Sequence, residues 1–107
     1  MFFNLTPHDV KIMRKDGTIL VVPKSGIVAR CEYSQQTVDV IDGVEIIRCH
    51  YGKVYNLPAP KDGVFYIVSL KVAQACPERT DLLIPGKINK SDSPFREDWS
   101  CRGLSYL

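Results

Sequence analysis

Hydrophobic residues recur in short runs through the first two-thirds of the chain, and turn-forming residues separate the runs. Asp42-Gly43 lies between the β-rich runs Thr37–Ile41 and Val44–Cys49, and Asp-Gly in this position is a strong signal for a β-hairpin. The spacing of the runs is typical of an antiparallel meander, a sandwich or a small barrel. Further predicted strands are Asp9–Arg14, Thr18–Val22, Ile27–Tyr33 and Val64–Val68, with turns at 15–17, 23–26, 51–53 and 61–63.

Within these runs, apolar and polar positions alternate with the two-residue period of a strand. Val44 and Ile46 therefore share a face with Arg48 and His50. The run Val64–Val68 is apolar throughout, which predicts a central strand that is buried on both faces.

The last third of the chain contains the one predicted helix. Ser69 is a good N-cap, and Pro77 should end the amphipathic segment that follows it. Asp81–Ile84 reads as a further strand, which Pro85-Gly86 should close.

The length and the elements together predict one mainly β domain over residues 1–107, with one short helix. The tail, residues 95–107, carries many large apolar side chains. We expect this tail to pack on the domain or on a neighbouring subunit.

The net charge of +2 is too small to predict nucleic-acid binding. No run approaches the roughly 20 apolar residues of a membrane-spanning helix, and no cationic and apolar leader opens the sequence. We therefore expect a cytoplasmic protein without a membrane partner, located in the host cytoplasm if a phage encodes it.

The four cysteines are well separated and form no Cys-x-x-Cys pair, so the sequence predicts no metal site. In the expected reducing compartment they should be reduced, and we interpret them as small buried hydrophobic residues. They are Cys31, Cys49, Cys76 and Cys101.

Phosphate-binding glycine loops, nucleophile elbows and metalloprotease motifs are all missing from the sequence. No cofactor is predicted, and enzymatic activity is the weaker interpretation. The enzymatic alternative is a small hydrolase or transferase that uses His8 and Asp81 as acid and base.

Three polar side chains follow the N-terminus closely, at Asn4, Thr6 and His8. They could form a loop that reads a ligand through hydrogen bonds. Alternatively, Asn4 and Thr6 could bond the local backbone of a turn.

Several arginines are predicted on or beside strands. Arg48 must find a carboxylate, a phosphate or a carbonyl partner, so it either contacts an anion or forms an internal ion pair. Arg79 and Asp81 could brace each other or a ligand. Arg102 is flanked by Cys101 and a glycine, which would anchor it close to the backbone.

Several segments together resemble a family of short, uncharacterised proteins of phages, prophages and bacteria. These segments are 4–8 (NLTPH), 23–30 (PKSGIVAR), 57–60 (LPAP), 66–69 (YIVS), 79–86 (RTDLLIPG) and 102–104 (RGL). The resemblance covers nearly the whole chain, and the chain departs from it over Phe95–Ser100. It implies a phage context, where small β-rich proteins that counter host defence often bind their targets stoichiometrically.

The leading hypothesis is a non-enzymatic homo-oligomer that sequesters a small anionic, nucleotide-like ligand. Phosphate would be bound by Arg48, Arg79 and Arg102, and bases could stack on Phe65, Tyr66 or Trp99. Polar readout would come from Asn4, Thr6 and His8, with Asp81 beside Arg79. The alternative is a protein-binding inhibitor or a small structural phage protein, with the apolar tail as its interface.

Overall fold

The computed structural model describes residues 1–89 and 100–107. The chain forms eight strands and one short helix in these residues. The strands are β1 (Phe2–Asn4), β2 (Val10–Met13), β3 (Ile19–Val22), β4 (Arg30–Ile41), β5 (Val44–Tyr55), β6 (Phe65–Ile67), β7 (Leu82–Asn89) and β8 (Ser100–Ser105), and the helix α1 (Leu70–Ala75) follows β6. The prediction of a mainly β protein with one short helix is confirmed.

Six strands form one sheet in the order β1-β6-β7-β8-β2-β3, which curls into a nearly closed barrel. The sheet is not wholly antiparallel: β1–β6, β6–β7 and β8–β2 are parallel pairs. The pairs β2–β3 and β7–β8 are antiparallel. Hairpin signals specify only strands that a short turn joins, whereas β1–β6 and β8–β2 join strands distant in sequence and β6–β7 is a crossover through α1.

The seam between the two edge strands, β1 and β3, is bridged by Asn4, which is 1% exposed. The Asn4 Nδ2 atom donates to the carbonyl oxygen of Val22, at 3.0 Å. The Asn4 carbonyl oxygen accepts from the Ser25 hydroxyl at 2.7 Å and from the Ser25 N–H at 3.3 Å. One residue thus joins the end of β1 to the end of β3 and to the turn that follows it.

The core lies on both faces of β6, which is the strand between β1 and β7. Ile67 packs with Val10 and Cys101 inside the barrel. Tyr66 and Val68 pack on the other side with Val72 of α1. The prediction of a central strand buried on both faces is confirmed for Tyr66–Val68.

The helix matches its prediction closely. The Ser69 hydroxyl accepts a hydrogen bond from the Val72 N–H at 3.4 Å, and Ser69 is the N-cap. The helix ends at Ala75, two residues before Pro77. Its buried residues, Val72 and Ala73, join the core.

Strands β4 and β5 form a separate two-stranded sheet, which we call the arm (Arg30–Tyr55). Each strand has 12 residues, which corresponds to about 40 Å of extended chain. The Cα radius of gyration is 16.1 Å, whereas a globular domain of this length has about 13 Å. The longest dimension of the molecule is 49 Å.

Three predicted strand boundaries are wrong. The arm strands run through the predicted break after Tyr33, where residues 34–36 pair regularly with residues 48–50. They also run through the predicted turn at 51–53, where a register shift between Cys31 and Tyr33 accommodates the turn residues. Gly52 lies opposite Glu32 at this register shift and has no positive φ. The strand predicted to end at Ile84 continues to Asn89, because Pro85 pairs with Leu104 within the β7–β8 ladder.

The predicted apolar tail lies only partly in the described residues. Its first part, which includes Phe95 and Trp99, lies outside them. Residues 100–105 form β8, between β7 and β2, and Cys101 in this strand is buried. Tyr106 and Leu107 are exposed.

Candidate functional site

The arm ends in a tight turn that its sequence predicts. Asp42 and Gly43 both have positive φ angles, 51° and 75°, as the two central residues of a type I′ hairpin turn require. Ile41 and Val44 pair directly across this turn. The predicted hairpin is therefore confirmed.

The tip of the arm, residues 37–47, is apolar on both faces. Ile41, Val44 and Ile46 fall on one face, and Val40 and Ile47 fall on the other. Each of these side chains is between 39% and 59% exposed. A hairpin that only covers a core has one apolar face, so apolar side chains on both faces favour contact with another molecule.

The base of the arm is held against α1. The Tyr51 hydroxyl donates to Gln74 Oε1 at 2.6 Å, and Lys71 Nζ lies 4.1 Å from the centroid of the Tyr33 ring. The Tyr33 and Tyr51 rings are 5.4 Å apart. The arm is thus anchored at its base and exposed from Ser34 to the tip.

Charge is unevenly distributed along the arm. Three carboxylates lie at the tip, on Asp39, Asp42 and Glu45, and residues 37–47 contain no Lys, Arg or His. The rest of the chain holds all 14 Lys and Arg residues and nine of the 12 Asp and Glu residues, a net charge of +5. The tip is therefore both apolar and acidic, on an otherwise basic protein.

A cleft of about 470 Å³ opens where β1 and β6 end and β2 and β8 begin, and we call it the His8 cleft. It contains two of the residues that were predicted to bind a ligand, Thr6 and His8. Lys11 and Ser69 add polar groups, and Val68 contributes to the apolar wall. A mostly apolar wall with a few polar groups is typical of a small-molecule site.

A second cleft, of about 590 Å³, lies at the opposite end of the sheet, and we call it the Phe65 cleft. Its wall is apolar and includes Phe2, Leu20, Phe65 and Leu104. Arg14 and Lys15 also contribute to its lining.

Asn4 and Thr6 make local hydrogen bonds, as expected if they stabilise a turn and do not face a ligand. Asn4 Oδ1 accepts from the Thr6 hydroxyl at 2.6 Å and from the Thr6 N–H at 2.9 Å. Asn4 Nδ2 donates to the carbonyl oxygen of His8 at 2.8 Å, and the Thr6 hydroxyl shares its one proton between Asn4 Oδ1 and this carbonyl oxygen, which lies 3.0 Å away. Asn4 itself does not line the His8 cleft.

The three arginines predicted to bind phosphate lie on separate elements. Arg48 lies on β5 in the exposed part of the arm, and Arg102 is exposed on β8. Arg79 lies between α1 and β7 and makes hydrogen bonds to Asp81 and to the carbonyl oxygen of Pro58. No contact within residues 1–89 and 100–107 joins any two of these arginines.

Arg79 and Asp81 form a bidentate ion pair. Arg79 Nε and Nη2 donate to the two carboxylate oxygens of Asp81, both at 2.8 Å, and the side chains are 17% and 14% exposed. These hydrogen bonds lower the pKa of Asp81 below its ordinary value and raise the pKa of Arg79. Because the carboxyl pKa is lower in the folded protein than in the unfolded chain, the pair stabilises the fold above that unfolded pKa.

The variant Asp81→Asn is therefore expected to lose about 2 kcal/mol of unfolding free energy at pH 7. The difference in unfolding free energy between this variant and the native protein should narrow as the pH falls below about 4. The native carboxylate then becomes protonated, and its contribution to stability is lost. Urea unfolding at pH 7, 4 and 3 measures the effect, with the exposed Asp62→Asn variant as control. If the difference in unfolding free energy stays constant from pH 7 to pH 3, ionisation of Asp81 does not contribute to stability.

The residues of the enzymatic alternative lie at opposite ends of the sheet. His8 follows the end of β1, whereas Asp81 precedes β7, and both strands run in the same direction through β6. Asp81 is held by Arg79. The structure does not bring His8 and Asp81 together as an acid and base pair.

All four cysteines are free. Cys76 and Cys101 are buried, as predicted, and burial raises the pKa of both thiols. The prediction of burial is wrong for Cys49, which is exposed on the arm with its Sγ 3.1 Å from the Tyr33 hydroxyl, and Cys31 is only half-buried. The arm has no core of its own to bury them.

Across the two described stretches of the chain, no helix is long and apolar enough to cross a membrane. Within the same residues, no three His, Cys, Asp or Glu side chains cluster in a way that could hold a metal ion.

The chain matches no protein-family model, no curated protein and no solved structure. Its function has to be inferred from its own surfaces. One of these surfaces is the exposed apolar tip of the arm, which contains none of the site residues predicted from the sequence. Its signal was present in the sequence, where five of the seven residues flanking the predicted Asp42-Gly43 turn, in 38–41 and 44–46, are Val or Ile.

Proposed function

We propose that this protein is a non-enzymatic assembly protein, and that its arm joins it to further copies of the same chain. The observation that carries this proposal is the apolar tip, which is exposed on both faces at the end of a hairpin about 40 Å long. Keeping Val and Ile side chains in water is unfavourable, and burying the exposed half of each one would contribute about 1 kcal/mol. An interface would recover that free energy.

Charge favours a second copy as the partner. The tip has a net charge of −3, while the rest of the chain has a net charge of +5. Opposite charges steer association and fix the register of an interface. Each copy thus carries an acidic apolar tip on a chain whose remaining residues are net basic, which favours association between copies.

The variant Val40→Thr, Ile41→Thr, Val44→Thr, Ile46→Thr tests this role of the arm. Threonine keeps the β-branched shape that suits a strand, but its hydroxyl must be desolvated in an interface. We expect self-association, measured by sedimentation equilibrium, to weaken by about a hundredfold. The unfolding temperature should change little, because the tip does not pack on the core.

The matched control is Val21→Thr with Ile27→Thr, which removes exposed apolar surface from outside the arm. This control should assemble like the native protein. A native protein that stays monomeric up to about 1 mM would contradict the proposal. So would a tip variant that assembles as well as the control.

A second candidate function, sequestration of a small nucleotide-like anion, is supported by the His8 cleft. The cleft has the size of a small-molecule site, and it includes the predicted residues Thr6 and His8 together with the cationic Lys11. In this version Asn4 positions the loop through its hydrogen bonds and does not touch the ligand. The cation would be Lys11 in place of Arg48, Arg79 and Arg102.

Equilibrium dialysis against a panel of mono-, di- and cyclic nucleotides tests this second function. We expect Lys11→Ala to weaken binding of any bound nucleotide by about tenfold, since a charge-assisted hydrogen bond contributes roughly 1.5–3 kcal/mol. Lys24→Ala is the control, because Lys24 is exposed and does not line the cleft. Failure of every nucleotide to bind at about 1 mM would rule this function out.

The phage origin and a role in countering host defence remain predictions. A self-assembling small structural protein and a stoichiometric ligand trap are both compatible with them. Identification of the encoding genome, with the neighbouring genes, would test the phage context directly.

A further inference from the structure

The Phe65 cleft is built from strand ends that meet at one end of the barrel. Strands β1 and β6 begin there with Phe2 and Phe65, and β8 ends there with Leu104. The antiparallel pair β2–β3 adds Met13 and Leu20. The result is an apolar depression of about 590 Å³, which is large enough for several side chains.

The side of this cleft formed by β2 and its following turn is cationic. Arg14 and Lys15 line the cleft and are exposed. The neighbouring acid, Asp16, does not line the cleft, and its carboxylate accepts hydrogen bonds from the Thr18 N–H and hydroxyl at 3.0 and 2.6 Å. The cleft therefore combines an apolar wall with two cations.

The tip of the arm has the complementary chemistry. Ile41 and Val44 face the same side beside the turn, where they form a compact apolar end. Asp42 lies in the turn between them, and Asp39 and Glu45 follow on the two strands. An apolar end with three carboxylates matches an apolar cleft with two cations.

We infer that the tip of the arm of one copy inserts into the Phe65 cleft of the next copy. Ile41 and Val44 would enter the apolar wall, and Asp42 in the turn and Asp39 on the same face of the hairpin would lie against Arg14 and Lys15. This inference rests on the proposed assembly function and names the surface that receives the arm. The contact is heterologous, so copies joined in this way form a closed ring or an open filament.

A simpler alternative is pairing of two arms with each other, which would be an isologous contact. The two arrangements differ in whether a chain with a defective tip can bind a chain with a defective cleft. In tip-into-cleft assembly, a chain with a defective tip still has an intact cleft, and a chain with a defective cleft still has an intact tip. Pairing between arms requires two intact tips in every contact.

The experiment uses the fourfold Thr tip variant and a cleft variant, Arg14→Glu with Lys15→Glu. Both positions of the cleft variant are exposed, so circular dichroism and thermal unfolding should match those of the native protein. Each variant alone should self-associate at least about tenfold more weakly than the native protein. An equimolar mixture should form a one-to-one complex, visible by native mass spectrometry, which neither variant forms alone.

A charge exchange provides the rescue. Adding Asp39→Lys and Asp42→Lys to the cleft variant reverses the charge on both sides of the contact, and this fourfold variant should recover self-association to within about tenfold of the native protein. The same two substitutions in the native background should weaken it. Rescue would not follow from pairing between arms.

Three results would overturn the inference and leave the arm as the assembly element. These are a mixture without a one-to-one complex, a cleft variant that assembles like the native protein, and a charge exchange without rescue. If the cleft variant assembles normally but loses binding of an anionic apolar dye such as anilinonaphthalene sulfonate, the cleft takes a small ligand instead. A native protein that does not assemble at all overturns the proposed function as well.

Discussion

Asn4→Ala is expected to lower the free energy of unfolding by about 4 kcal/mol, and the melting temperature by roughly 20 °C. The substitution removes the donor to Val22 across the seam of the barrel and the acceptor of two hydrogen bonds from Thr6. It also leaves the His8 carbonyl oxygen with one donor fewer. Because Asn4 is 1% exposed, water cannot readily replace these partners.

Thermal and urea unfolding measure this loss, and Asn56→Ala is the matched control. Asn56 also donates its side-chain amide to a backbone carbonyl, that of Val28 at 3.1 Å, but it is exposed. Asn56 has a positive φ angle of 61°, which alanine tolerates less well than asparagine, so the control should lose about 1–2 kcal/mol in total. Equal losses of unfolding free energy for the two variants would show that the buried hydrogen bonds of Asn4 stabilise the fold no more than the exposed hydrogen bond of Asn56 does.

Gly86→Ala is expected to destabilise the protein by about 3 kcal/mol. A Cβ atom at this position would lie 2.9 Å from the Gly103 carbonyl oxygen and closer still to that of Arg102. Both oxygens belong to the backbone of β8, which pairs with β7 on either side of this point. Relieving the clash would therefore require the two strands to separate locally.

Gly52→Ala is the control for this substitution, because Gly52 and Gly86 are the two glycines without a positive φ angle. A Cβ atom on Gly52 would lie 2.7 Å from Oε2 and 2.9 Å from Cβ of Glu32; the carboxylate can turn away, and the exposed two-stranded arm can shift slightly to relieve the contact with the Cβ. We expect a loss of about 1 kcal/mol, measured by urea unfolding. The prediction for Gly86 fails if its variant is as stable as this control.

The seam and the arm have different consequences for function. The hydrogen bonds of Asn4 hold the loop that carries Thr6 and His8, so weakening the seam should disturb the His8 cleft together with the fold. The tip of the arm contributes nothing to either core cluster. Its apolar side chains can therefore be exchanged without loss of the fold, which makes self-association measurable in isolation.

Local chemistry was predictable where a few neighbouring residues specify it. The Asp42-Gly43 turn requires two positive φ angles, and these residues tolerate them. Ser69 caps the helix with its own hydroxyl, and the helix ends shortly before Pro77. Both outcomes depend on sterics and hydrogen bonds within about four residues, so the sequence itself carries the signal.

Predictions that depended on distant residues were less complete. Arg79 and Asp81 are two positions apart, and a mutual ion pair was one of two interpretations of the sequence; the structure shows this pair. Arg48 and Arg102 were grouped with Arg79 only because all three are arginines near strands. Whether such side chains converge depends on strand order, and the three lie on different parts of the fold.

The sequence by itself determined a mainly β chain, its hairpins and the capped helix, because these follow from short-range alternation and turn chemistry. Tertiary structure alone decided the parallel pairings of β1, β6 and β7, the closure of the seam by Asn4 and the exposure of the arm. An alternating strand looks the same in sequence whether its apolar face meets a core or water. Whether a side chain is buried depends on residues that are distant in the sequence. The six strands of the larger sheet enclose a core, whereas the apolar side chains at the tip of the arm remain exposed.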